Sequence, residues 1–176
     1  LKGLFLQVNL KMKTLTHIDS NFVSQSIKGP YDLYTYLYVN ELMIRLLPKG
    51  LPNQDLYHLY QNFVKLARAD AISETDLRVF EIDLLDVLGY GINFDTDTKD
   101  NSEFKDSVIY SYFPEKGFHN AGNTEGFTAE EILRIKNRSL KGIDKLKLKK
   151  LLQTAISACL DGRELSSREF FKKIKI

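Results

Sequence analysis

The stretch Ser73-Glu74-Thr75-Asp76-Leu77-Arg78-Val79-Phe80-Glu81-Ile82-Asp83-Leu84-Leu85-Asp86-Val87-Leu88-Gly89-Tyr90-Gly91 reads as a helix that carries its own start and stop. The Ser73 hydroxyl stands where it can accept the backbone N–H of Asp76. Leu77, Phe80, Leu84 and Leu88 recur at three- and four-residue spacing and make a core stripe. Gly89 and Gly91 supply left-handed residues to end it. Arg78, Ile82 and Leu85 lie together on a face displaced from that stripe. An apolar strip headed by arginine has the chemistry to take an acidic peptide with an aromatic end, the cation meeting a carboxylate and the strip taking the ring. The plainer reading is an arginine at the edge of a core helix whose stem lies along apolar surface.

Outward from this helix the same period continues. Residues 31–47 are apolar or aromatic for most of their length, with Asn40, Glu41 and Arg45 among the few breaks, and predict a buried helix stopped by Pro48 and Gly50. Residues 54–69 place Leu56, Leu59, Tyr60, Phe63, Leu66 and Ala67 at helical spacing. Downstream, 95–106 is a polar, acidic loop, and Val108-Ile109-Tyr110-Ser111-Tyr112 predicts a strand that turns through 113–117 into Phe118, a small hairpin. Thr128-Ala129-Glu130-Glu131 is a capping box that opens a short helix. Residues 143–161 carry Leu148, Leu151, Leu152, Ala155, Ile156 and Cys159 on one face, and Ser166-Ser167-Arg168-Glu169 opens a last helix with Phe170, Phe171 and Ile174. At the front, Leu4, Leu6, Val8 and Leu10 alternate and predict one or two strands before a linker ending at Gly29-Pro30. Two strands cannot stand as a sheet alone, so they call for partners.

Composition narrows the function classes. The chain has 176 residues, 43% hydrophobic, with nine Tyr and eleven Phe, enough for a packed core. No apolar run reaches the eighteen or so residues that cross a bilayer, and the first residues do not form a signal peptide. The single Cys159 excludes an internal disulfide framework and a cysteine-rich zinc site, which fits a reducing cytoplasm. The net charge of +2 conceals polarity. Residues 1–30 hold four Lys/Arg against one acid, 31–130 eight against seventeen, and 131–176 thirteen against five. The basic tail suits an anionic partner, or equally folds against the acidic middle.

Catalytic and metal patterns are thin. Asp95-x-Asp97 starts like a calcium loop, but Asp100 stands where that loop requires glycine. His17, His58 and His119 are scattered. There is no Gly-x-Ser-x-Gly elbow and no glycine-rich phosphate loop, since Gly89-Tyr90-Gly91 ends a helix instead of beginning one. No enzyme activity, cofactor or metal is expected. Nucleic-acid binding is the remaining chemistry. Lys145, Lys147, Lys149, Lys150, Arg163, Arg168, Lys172 and Lys173 repeat cations near Phe170 and Phe171, which suits phosphate neutralisation without sequence preference. Lysine every few residues is also what a solvated helix face looks like.

Four segments in order then carry a resemblance. Tyr38-Val39-Asn40-Glu41-Leu42-Met43-Ile44-Arg45, Leu77-Arg78-Val79-Phe80-Glu81 running on to Leu88-Gly89-Tyr90-Gly91, Glu115-Lys116-Gly117-Phe118, and Gly162-Arg163-Glu164-Leu165-Ser166-Ser167-Arg168-Glu169 are similar to motifs of the RecO family of recombination mediators, over residues 30–176. The resemblance implies a five-stranded OB-fold barrel followed by a helical domain. It makes the fold class mainly α: a helical domain at 29–176 with a small inserted β-hairpin, preceded at 1–28 by the terminal strands of an incomplete OB barrel and a linker. It further implies a bacterial, cytoplasmic, nucleoid-associated protein of DNA damage repair and recombination. The partners so implied are single- and double-stranded DNA, the acidic C-terminal tail of the single-stranded-DNA-binding protein, RecR and the RecA pathway, with no membrane. The family's arginine for the tail contact falls on Arg78, with Ile82 beside it. Some members carry a four-cysteine zinc module where this chain has the loop at 95–103 and no cysteine, so no metal is implied here. The competing reading is a helical protein–protein interaction scaffold with no nucleic-acid role.

Overall fold

The computed structural model describes residues 29–47, 53–69, 71–114, 116–120, 122, 125–160 and 163–172. The expected barrel remnant at 1–28, the Pro48/Gly50 stop and Lys173 lie outside those residues. The element order is α1 (Pro30–Leu46), α2 (Gln54–Ala69), α3 (Glu74–Val87), β1 (Ser111–Phe113), β2 (Gly117–His119), α4 (Ala129–Lys136), α5 (Lys145–Cys159) and α6 (Arg168–Lys172). The architecture is mainly helical with one small antiparallel hairpin, as the periodicity and the resemblance imply.

The local signals act as the chemistry dictates. Ser73 Oγ accepts from Asp76 N and the Asp76 carboxylate accepts from Ser73 N, a capping box that satisfies two orphan donors of α3. Thr128 and Glu131 do the same for α4. At the end of α3, Gly89 takes φ 79°, Tyr90 N reaches Leu85 O at 2.9 Å and Gly89 N reaches Asp86 O at 3.1 Å, a Schellman closure. Gly91 is not left-handed, so Gly89 alone ends the helix where two glycines were expected to share that role.

α3 is the central helix. It packs against both α2 and α5, and for that reason buries two stripes. Leu77, Phe80 and Leu84 are enclosed, and so are Ile82 and Leu85. A second core lies around the hairpin, where β1 and β2 pair Ser111 with His119, Tyr112 with Phe118 and Phe113 with Gly117. The strand starts later than its β-propensity suggests, because Tyr110 bridges Phe127 instead of continuing the ladder. Phe118 is fully buried among Phe94, Phe104, Tyr112 and Phe127, with ring centroids 5.4–6.4 Å away. Gly117 adopts φ 100°, and a Cβ there would stand 2.9 Å from Thr98 Cγ2, so the turn into Phe118 admits no side chain.

Four expectations change. α1 is not buried all round: Asp32, Thr35, Tyr38, Val39 and Leu42 are enclosed, while Leu33, Leu37 and Ile44 face outward, Ile44 at 75% exposure. Leu66 of α2 is likewise exposed, and Cys159 is only half-buried. The capping box expected at Ser166 does not form. Glu169 pairs with Lys172 at 2.5 Å, and the carboxylate of Glu41 takes the Ser166 and Ser167 N–H groups instead.

Candidate binding groove

The second residue line on α3 behaves differently from the exposed strip that its spacing suggests. Ile82 and Leu85 are each 1% exposed, inside the core, and offer no ring-sized surface. An Ile82→Asp change would therefore report on folding and not on binding. Arg78 is 8% exposed and engaged. Its Nη1 donates to Glu81 Oε2 at 2.5 Å, and its Nη2 lies 3.7 Å from Glu74 Oε1. Glu81 is 0% exposed, and its other oxygen accepts the Tyr38 hydroxyl at 2.5 Å. A carboxylate sealed in the core between Phe80 and Ile82 is stable only with such partners. Burial, then the Glu81 charge, pushes the Tyr38 hydroxyl well above its ordinary pKa. Burial works against the charge of Arg78, but Glu81 and Glu74 outweigh it, and the guanidinium is held more firmly protonated than usual.

The opposite wall comes from the end of the described chain. Glu41, one helical turn beyond Tyr38 on α1, reaches across to Ser166 N at 3.0 Å, Ser167 N at 2.8 Å and Ser167 Oγ at 2.5 Å. Burial pushes the Glu41 carboxyl up, but the bonds from Ser167 and Ser166 and the nearby Arg45 overcome it, so its pKa is lowered. α6 then lays its rings on α1: Tyr34 stacks with Phe170 at 5.5 Å, and Phe171 meets Tyr31 at 5.8 Å and Tyr38 at 6.0 Å. The first, second and fourth of the family-like motifs thus converge on one place, through Tyr38 and Glu41, Arg78 and Glu81, and Leu165 to Arg168.

Between these walls is a cavity of about 440 Å³. Tyr31, Leu77, Leu165 and Phe171 give it apolar surface, and charges of both signs stand around it, Arg78, Lys149, Arg168 and Lys172 with Glu74, Glu164 and Glu169. Glu74 lies beside Arg78 and Glu169 pairs with Lys172, which leaves Lys149 and Arg168 as the cations without a carboxylate partner among the described residues. A smaller hollow of about 240 Å³ shares Glu74 and Arg78 and continues past Leu140, Lys141 and Lys145. The basic residues expected to share one surface therefore divide. Lys149, Arg168 and Lys172 join Arg78 at the groove, and Lys145 extends it. Lys147 is occupied, donating to Glu131 Oε2 at 2.6 Å and lying 4.4 Å over the Phe127 ring. Lys150 borders a separate concavity beside Leu146. Arg163 turns back to Leu160 O at 3.0 Å. Elsewhere the basic tail does fold against the acidic middle: Lys136 pairs with Asp95 at 2.5 Å, and Arg138 with Asp83 at 2.7 Å and with Asp86.

The loop at 95–106 is organised without a metal-type cluster. Asp97 is buried, its Oδ1 accepting Lys99 N at 2.9 Å and its Oδ2 Asn120 N at 3.3 Å. Among the described residues no group of three His, Cys, Asp or Glu could hold an ion. His119 stacks on Phe113 at 4.0 Å, and His58 is exposed beside Gln54. Tyr38, Glu81 and Glu41 are the residues around the groove that spacing alone misses. Glu81 could have been found from one signal, an acid set between two core residues of a buried helix.

The groove of this helical domain, lined by charges of both signs, is assembled by chain-distant motifs. A family model described as recombination protein O C terminal matches residues 30–169. A protein of Photobacterium profundum named DNA repair protein RecO is 37% identical over 164 residues, covering 91% of this chain and 69% of the relative. Its namesake from Salmonella enteritidis is 32% identical over 169 residues, covering 93% and 69%. The chain belongs to the RecO family of DNA repair and recombination proteins. No helix among the described residues is long and apolar enough to cross a membrane.

Proposed function

We propose that this chain serves DNA repair as a recombination mediator that binds partners without turnover, and that its groove takes the acidic C-terminal tail of the single-stranded-DNA-binding protein. The observation that carries this reading is that Lys149 and Arg168, neither with a carboxylate partner among the described residues, meet on a cavity with apolar walls beside the internally paired Arg78 and Lys172. An acidic segment ending in an aromatic ring offers carboxylates to the rim and a ring to Leu77, Leu165 and Phe171, so charge and shape are matched together. In this reading Arg78, where the resemblance implies the anchor, adds positive charge to the tail site from behind its contacts with Glu81 and Glu74, with Leu77 and Leu165 replacing Ile82 and Leu85 as the apolar wall. DNA, single- or double-stranded, is engaged by cations such as Lys145 and Lys150, for which no carboxylate partner stands among the described residues, and together with RecR the chain assists strand annealing and RecA loading. The setting is the bacterial cytoplasm, at the nucleoid. An interaction scaffold without a nucleic-acid role would keep the groove and lose the DNA affinity.

Calorimetric titration with a short peptide of aspartates ending in phenylalanine tests the groove. Lys149→Glu should weaken binding at least about tenfold, roughly 1.4 kcal/mol, with the fold unchanged by circular dichroism. Wild-type affinity in that variant would remove the peptide from this groove. Lys150→Glu should leave the peptide affinity intact and lower the salt dependence of single-stranded DNA binding by about one unit of slope. An unchanged slope would return Lys150 to the solvated face.

A further inference from the structure

We infer that Arg168 is a second anion-binding guanidinium of the groove, the one that remains free to take a ligand carboxylate while Arg78 is held by the protein itself. This rests on the peptide-binding reading above and adds to it which group meets the charge. The two arginines border the same cavity in different states. Arg78 gives Nη1 to Glu81 at 2.5 Å and holds Nη2 3.7 Å from Glu74, and its buried Nε has no acceptor among the described residues. Arg168 has no carboxylate partner among the described residues. Its Nη1 donates to the neutral Ser157 hydroxyl at 3.1 Å, and both its Nε and its Nη2 are buried with no acceptor among the described residues. A guanidinium enclosed in this way has given up water without regaining hydrogen bonds, a state that calls for an anion.

The edge that Arg168 leaves open is Nε with Nη2, one of the pairs of parallel donors that fit a carboxylate in bidentate geometry. Lys149, from α5, stands on the same cavity and is likewise without a carboxylate partner among the described residues. Ser157 and the Glu41-held turn at Ser166 and Ser167 fix the arginine from two sides, so its fork is oriented before a ligand arrives. A carboxylate entering beside Phe171 would satisfy both orphaned donors in one step.

The test uses fluorescence anisotropy with the aspartate peptide ending in phenylalanine, at several salt concentrations, on wild type, Arg168→Ala, Arg168→Lys and Lys149→Glu. Arg168→Ala should weaken binding at least tenfold and flatten its salt dependence, and Arg168→Lys should recover part of both, because the charge returns without the fork. A merely structural arginine would lower affinity with the salt dependence unchanged and with no recovery in Arg168→Lys, which overturns the inference. Wild-type affinity in Arg168→Ala, with loss in Lys149→Glu, overturns it too while leaving the groove as the peptide site. Failure of the wild-type chain to bind the peptide overturns both.

Discussion

The two ends of this domain are built on opposite principles. Around the hairpin, Phe94, Phe104, Phe118 and Phe127 pack ring on ring, and the polar inserts, the Tyr110 hydroxyl accepting Lys105 N at 2.8 Å and the buried Asp97 carboxylate, bond to backbone N–H groups of nearby loops. Around the groove the rings of α1 and α6 cover a polar network: Tyr38, Glu81 and Arg78 form a buried chain of bonds, and Glu41 sews the turn before α6 onto α1. Aromatic packing tolerates imperfect angles and fails by leaving cavities. A buried ionic network fixes donors and acceptors to particular positions and fails by leaving a charge alone. The hairpin end is therefore suited to holding a shape, and the groove end to holding charged atoms in register for a ligand.

The largest effects should come from removing the centre of each region. Phe118→Ala and Glu81→Ala should each cost about 3–5 kcal/mol of unfolding free energy, the first by cavity formation and the second by stranding the Arg78 charge. Chemical denaturation measures both. They part on function: folded Phe118→Ala should retain peptide affinity and folded Glu81→Ala should lose it. Equal peptide affinity in the two would erase the division of labour.

A middle-sized effect belongs to Glu41. Its folded pKa lies below the ordinary carboxylate value, so its contribution is complete above the unfolded pKa and is lost as pH falls through the lowered folded value. On acidification the Tyr34–Phe170 ring contact should loosen in NMR spectra before the hairpin signals change. Glu41→Gln should cost about 1–2 kcal/mol and remove that pH step. A step that survives in the glutamine variant would belong to another group.

The smallest effect tests the hairpin end at its edge. Thr128→Ala deletes one half of the α4 capping box next to Phe127 and should cost about 1 kcal/mol. Peptide titration should not register it, and a shift there would mean that the two ends are coupled.

Sequence made the hairpin end nearly as legible as the helices, because turn glycines, capping boxes and periodic apolar residues are local signals. Ser73, Thr128 and Gly89 each act within a few residues of themselves. The groove was legible only in part. Arg78 was visible as a cation on α3, but its neighbours Ile82 and Leu85 were misplaced, since periodicity along one helix does not tell how many other helices will cover it. Glu41 was hidden for a different reason: its partners Ser166 and Ser167 are 125 and 126 positions away, and nothing local to either end announces the bond. The motif resemblance carried the information that spacing lacked, because three of its four segments are the pieces that assemble there.

The Glu41 link also sets a timetable. A protein made from its amino end cannot close this groove until residues 163–172 have left the ribosome, long after α1 and α3 have been synthesised. Until then Glu41 faces solvent, and the inner surfaces of Tyr31 and Tyr38 have no cover from Phe171. Contacts of such sequence separation form late and slowly. A partially synthesised chain would accordingly show α1 and α3 without the closed groove, which waits on a segment more than a hundred residues away.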